Sequence, residues 1–115
     1  TTFDGAGRPV KTSVFSKART MQCCDGIFWR AEDKRIYVAD MLRNGVQAVD
    51  SKGCVTTLHT NPDTTGADGL LDQPCEVIVR GKELIIINMD MPWDSDLLTN
   101  KAIDRPYTLS VIPLK

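Results

Sequence analysis

Asp25, Glu76 and Asp90 are the side chains in this sequence best placed to do chemistry. Asp25 and Glu76 stand just ahead of two apolar runs, Ile27-Phe28-Trp29 and Val77-Ile78-Val79, and Asp90 follows a third, Leu84-Ile85-Ile86-Ile87. Carboxylates at strand ends can move protons or act as oxygen ligands. Nucleophilic chemistry has a weaker basis. His59 is the only histidine and falls on a predicted outer strand, which leaves a Ser-His-Asp or Cys-His relay without a seat. Cys23, Cys24, Cys54 and Cys75 follow neither a zinc nor a thioredoxin spacing, and adjacent Cys23 and Cys24 point to opposite faces of a strand. They read as buried or half-buried free thiols, with a Cys54–Cys75 bridge left open.

The elements that must position these groups form a rhythm heard twice. Cys24-Asp25-Gly26-Ile27-Phe28-Trp29-Arg30, a polar turn and Arg35-Ile36-Tyr37-Val38-Ala39-Asp40 are echoed by Cys75-Glu76-Val77-Ile78-Val79-Arg80, a turn and Glu83-Leu84-Ile85-Ile86-Ile87-Asn88. A second echo, apolar-Asp-x-x-Gly, links Phe3-Asp4-Gly5-Ala6-Gly7 to Val49-Asp50-Ser51-Lys52-Gly53. Short β-rich segments repeating every ~40–50 residues predict blades of a β-propeller, an all-β fold of four-stranded antiparallel units. Because the innermost strands of a propeller line its channel, residues just before them meet at its mouth. Asp25 and the Cys75/Glu76 pair hold that position, although Asp25-Gly26 is also an ordinary turn signal.

The predicted strands are 10–15, 26–30, 35–39, 46–49, 55–59, 76–80, 84–88 and 107–112, the fourth half-buried on the strength of its apolar–polar alternation. Pro9 places the first of these at an edge or delays its start. Asn61 to Gly69 is rich in breakers and predicts a long surface loop. Asp94 or Ser95 could cap a helix within 94–103. Residues 1–22 then hold an outer strand of a preceding blade and 23–60 a full blade. A loop at 61–71 leads into 72–115, a blade lacking its outermost strand. About two blades cannot close a ring, and the spare strand Val10–Phe15 is of the kind that fills such a gap in a neighbour. Trp29 and Trp93 read as packing residues, Trp93 alternatively as the lining of a substrate entrance. Asp40 and Asn88 correspond to one another at the ends of their strands.

A chain of 115 residues is one domain at most. Hydrophobic residues at 42% against 25% charged suit a soluble globular chain, and a net charge of -1 gives no electrostatic case for nucleic acid or an anionic membrane. No apolar run approaches the ~18–20 residues of a membrane span. The cytoplasm is the favoured compartment. The Thr1-Thr2-Phe3-Asp4 start, without initiator Met or signal pattern, suggests trimming or a longer parent chain.

Cys24-Asp25-Gly26-Ile27, Ile36-Tyr37-Val38-Ala39-Asp40, Asn44-Gly45-Val46, Val49-Asp50-x-x-Gly53-x-Val55 and Leu58 together resemble a blade of the senescence-marker-protein/gluconolactonase/luciferin-regenerating-enzyme family. Leu71-Asp72-Gln73-Pro74-Cys75-Glu76-Val77, Arg80-Gly81 and Leu84 to Asp90 resemble the blade that follows. The likeness covers roughly residues 3–92, the C-terminal portion of such a protein. It implies a six-bladed propeller, Ca²⁺ or another divalent cation at its centre, and hydrolysis of a small-molecule lactone or ester. Under this resemblance Asp25 and Glu76 are metal ligands with catalytic roles, and Asp90 is a further ligand. Asp40 would cap a turn by accepting backbone N–H groups. The missing blades would come from other copies, a trimer being favoured, or from the rest of a longer chain. The alternatives are a non-catalytic binding or scaffold propeller and an inactive truncated fragment.

Overall fold

The computed structural model describes all residues from Thr1 to Lys115, and the protein is all-β. Nine strands run in chain order: β1 Thr2–Phe3, β2 Pro9–Lys11, β3 Cys24–Arg30, β4 Arg35–Asp40, β5 Gly45–Val49, β6 Val55–Thr60, β7 Pro74–Arg80, β8 Glu83–Asn88 and β9 Leu109–Pro113. They form three antiparallel sheets, a β1-β2 hairpin, a four-stranded β3-β4-β5-β6 sheet and a three-stranded β7-β8-β9 sheet, each strand pairing with its neighbour in sequence. No helix is long and apolar enough to cross a membrane.

The two larger sheets pack face to face. Tyr37, Ala39, Val46 and Ala48 of the first meet Val77, Leu84 and Ile86 of the second, with Leu71 from the connecting loop wedged among them. Alternation along each strand sends the intervening residues to the opposite faces. β5 departs from the sequence reading: it is buried throughout rather than half-buried. Its second face meets the segment that follows β2, whose Thr20 carbonyl accepts a hydrogen bond from Gln47 Nε2 at 3.2 Å and whose Ser16 hydroxyl donates to the Gly53 carbonyl.

The two Asp-x-x-Gly turns are built alike. Asp4 Oδ1 accepts the N–H of Ala6 and Arg8, and Asp50 Oδ1 accepts those of Lys52 and Cys54, all at 2.8–2.9 Å. Gly7 and Gly53 close them at φ of 78° and 82°, a region costly for any side chain with a Cβ. The β1-β2 hairpin is therefore a second version of β5-β6 without inner partners. This corrects the expected single strand at 10–15. Only Pro9–Lys11 is strand, it pairs with Thr2–Phe3, and beyond it the chain leaves to run across β5. The strand expected to complete a three-stranded sheet is thus one member of a two-stranded hairpin, and β9, the outer member of the three-stranded sheet, has an open edge.

The helix expected within 94–103 does not form. Its backbone donors are taken by distant acceptors: Thr99 N–H by the Leu42 carbonyl at 2.9 Å, and those of Lys101 and Ala102 by Asp63 Oδ2 at 3.1 and 3.3 Å. Ser95 Oγ accepts only the Leu97 N–H, a local turn. Trp29 and Trp93, expected to pack, are exposed.

Candidate functional site

The register of the two sheets fixes which residues correspond. Phe28 pairs with Tyr37 and Trp29 with Ile36; Ile78 pairs with Ile85 and Val79 with Leu84. Each inner strand carries one extra residue near its start, between Cys24 and Ile27 in β3 and between Pro74 and Glu76 in β7. Such bulges re-aim side chains at sheet rims. Counted from these pairings, Asp25 corresponds to Cys75 and Gly26 to Glu76. The two carboxylates are thus one step out of equivalence, which sequence alignment through Cys24 and Cys75 does not reveal.

The strand starts that carry Asp25 and Glu76 nevertheless come together. β3 and β7 approach so closely at Gly26 that a Cβ there would lie 2.5 Å from Glu76 Cα, so only glycine fits. Glu76 is exposed, and its Oε1 accepts the Val77 N–H at 2.8 Å. Asp25 is exposed as well. Both act on Cys75, whose thiol is pushed up first by burial and then by the Asp25 and Glu76 charges. Burial likewise leads in raising Cys23, with Asp25 and Asp40 adding, and in raising Cys24. These three thiols stay protonated near neutral pH and are poor nucleophiles. All four cysteines are free, so the Cys54–Cys75 bridge is not formed, and Cys24 and Cys54 are exposed rather than buried.

Asp90 goes elsewhere. It is 1% exposed, adopts φ 45°, and accepts hydrogen bonds from the Asp104 N–H and, at 3.4 Å, from Asn100 Nδ2. Within one copy, no three Asp, Glu, His or Cys side chains converge closely enough to hold a metal, and so Asp25, Glu76 and Asp90 do not do so there. Asp90 is held inside the 89–108 loop. The oxygens of Asp25 and Glu76 suit a hard divalent cation in kind, while in number they fall short of the about six to eight it takes.

Asp40 and Asn88 correspond in place and in role. Asp40 is buried and accepts the N–H of Gln22 and Cys23 at 3.2 and 3.1 Å and Gln47 Nε2 at 3.2 Å. Asn88 Oδ1 accepts the Asp72 N–H at 3.1 Å while its Nδ2 donates to Thr108 and Ser110 hydroxyls. His59 is exposed on β6, away from both carboxylates' strands.

Sequence reasoning missed a buried polar assembly joining the loops at this end of the sheets. Asn44, at φ 46°, donates from Nδ2 to the carbonyls of Pro62 and Leu71 and accepts the Gln73 N–H on Oδ1 at 2.9 Å. Asn100 Nδ2 donates to Asp72 Oδ1 at 2.5 Å and also reaches Asp90. Asp72 is 1% exposed and its Oδ2 has no hydrogen-bond partner. Burial, then the neighbouring Asp90 charge, pushes its carboxyl up to about 6 against the Asn100 hydrogen bond, with Asp104 and Asp63 adding to the rise. Its place before Gln73-Pro74 reads as ordinary loop; no local pattern announces a buried acid. Nearby, a polar cleft of about 500 Å³ is lined by Gln22, Arg43, Thr60, Asn61, Asp96 and Thr99 among others.

No family model matches the chain, and no curated protein matches it.

Proposed function

We propose that this chain contributes two blades of a β-propeller of the gluconolactonase type, in which Asp25 and Glu76 serve hydrolysis of a lactone or ester with a divalent cation, Ca²⁺ first. The observation that carries this reading is the close approach of the two inner strands at Gly26, which sets the strand start bearing exposed Asp25 against the one bearing exposed Glu76. Further sheets, from other copies (three in all under the favoured reading) or from a longer chain, supply the remaining oxygens. When bound, the cation polarises the scissile carbonyl and acidifies a water. Asp25 and Glu76 offer two anchoring oxygens, and whichever of them is left unligated can accept the proton lost by the attacking water. The Val77 N–H holds one Glu76 oxygen and so orients the other. The raised thiols of Cys23, Cys24 and Cys75 are weak competing nucleophiles, and Cys54 and His59 belong to the β5–β6 hairpin rather than the inner strands.

Isothermal titration with CaCl₂, run beside a pH-indicator assay of lactone opening, tests this. Binding that disappears in Asp25→Asn and Glu76→Gln, with lactone opening lost in parallel, supports it. Absence of binding at millimolar Ca²⁺ by the assembled protein overturns it and leaves the binding or scaffold reading.

A further inference from the structure

The register equivalence also says what should lie against the faces that this chain leaves bare. Inside the molecule, the face of the first sheet formed by Phe28, Tyr37, Ala39, Val46 and Ala48 packs on the face of the second formed by Val77, Val79, Leu84 and Ile86. Translating the first set through the strand pairings gives Ile78, Ile85, Ile87, Leu109 and Val111, the outward face of the second sheet. Translating the second set backwards gives Ile27, Trp29, Ile36 and Val38, the outward face of the first. The packing is therefore head to tail: each sheet has the same front and the same back, and one front–back joint is already made.

The half on the second sheet is apolar and largely open, and the half on the first is open at Ile27 and Trp29, while Val38 beside them, 4% exposed, is already covered within this chain. Ile87 is 42% exposed where its counterpart Ala39 is 0%, and Ile27 is 65% exposed where its counterpart Val77 is 2%. Ile78, Leu109 and Val111 are exposed around Ile87, as Trp29 is beside Ile27. Even the loop residue follows the rule. Gln22 N–H binds Asp40 as Asp72 N–H binds Asn88, so Met21 corresponds to Leu71, yet Met21 is half-exposed and Leu71 is sealed in the joint.

We propose that the Ile78/Ile85/Ile87/Leu109/Val111 face docks on the Ile27/Trp29 face of a second copy of this chain, repeating the internal joint. The contact is heterologous, so successive copies continue in one direction until a ring closes. It rests on the register equivalence alone and holds whatever chemistry the assembled sheets perform.

Sedimentation velocity across a dilution series tests it. The unmodified chain associates as concentration rises. Trp29→Lys and Ile87→Lys each lose that association while keeping the β-sheet circular dichroism of the parent, because both positions are exposed. Mixed together, the two variants form a one-to-one complex, since each retains the half that the other has lost. Should either lysine variant unfold, Ile27→Ser and Val111→Ser replace them in the same mixing experiment. A parent that stays monomeric throughout, or variants that fail to complement, overturns the proposal. Association without Ca²⁺ binding would remove the hydrolase reading and leave this one standing.

Discussion

Replacing Asp72 by Asn should make the protein more stable at neutral pH, although it deletes a buried charge with a hydrogen bond. Asp72 and Asp90 are each 1% exposed and share one amide, Asn100 Nδ2, at 2.5 and 3.4 Å. The charged groups facing Asp72 are Asp90, Asp104 and Asp63, all of its own sign. Its carboxyl rises from the ordinary 3.8 to about 6 on folding. A raised carboxyl favours the protonated form in the folded state. The penalty for ionisation is thus absent below about pH 4, grows as pH climbs through 4–6 and is complete above. At about 1.4 kcal/mol per unit of difference, the penalty at pH 7 is at most about 3 kcal/mol. Asn keeps an acceptor for Asn100 and carries no charge. Urea unfolding of Asp72→Asn and its parent at pH 4 and pH 7 measures the effect. The variant should gain up to about 3 kcal/mol at pH 7 and little at pH 4. Other carboxylates, among them Asp4, Asp33 and Asp50, shift downwards and are common to both proteins, so the difference between the two isolates Asp72. A variant less stable than the parent at pH 7, or a gain equal at both pH values, would refute the reasoning.

At the opposite end of the sheets the sign reverses. Tyr37 Oη donates to Asp33 Oδ2 at 2.5 Å beside Arg30, so Tyr37→Phe should cost about 1–2 kcal/mol at pH 7, and thermal melts should show that loss shrinking below about pH 4 as Asp33 takes up a proton. Four free thiols predict alkylation at four sites without reductant, and time-resolved mass spectrometry at pH 7.5 should find Cys54 modified first: it is exposed, Cys23 and Cys75 are half-buried, and the thiol of Cys24, though also exposed, is pushed up by its surroundings and the Asp40 charge.

The strands were legible because their signals are local. Alternating apolar runs between Asp-x-x-Gly turns specify hairpins with no help from the rest of the chain, and strands 26–30, 35–39, 55–59, 76–80 and 84–88 form as the residues suggest. What failed was decided at a distance. The segment 94–103 has a helix cap but spends its amides on Leu42 and Asp63. β5 alternates like a half-buried strand, and its polar side is buried where Gln47 meets the segment that follows β2. At the candidate site, Asp25 and Glu76 are visible as acids at strand starts, and the close approach of Gly26 to Glu76 depends on how two sheets meet. Asp72 has no sequence signature, since an acid before Gln-Pro looks like any loop until two segments close over it.

The unpaired margin of β9 carries a practical corollary. A strand bearing Leu109, Val111 and Ile112 with its outer amides and carbonyls unclaimed is a template on which other extended polypeptides can grow. Pro113, at the end of that strand, lacks an N–H to offer and Lys115 adds charge just beyond it, so both blunt only the final stretch. The remainder stays adhesive, and newly made chains waiting for partners would be at their greatest risk of fibrous misassembly there.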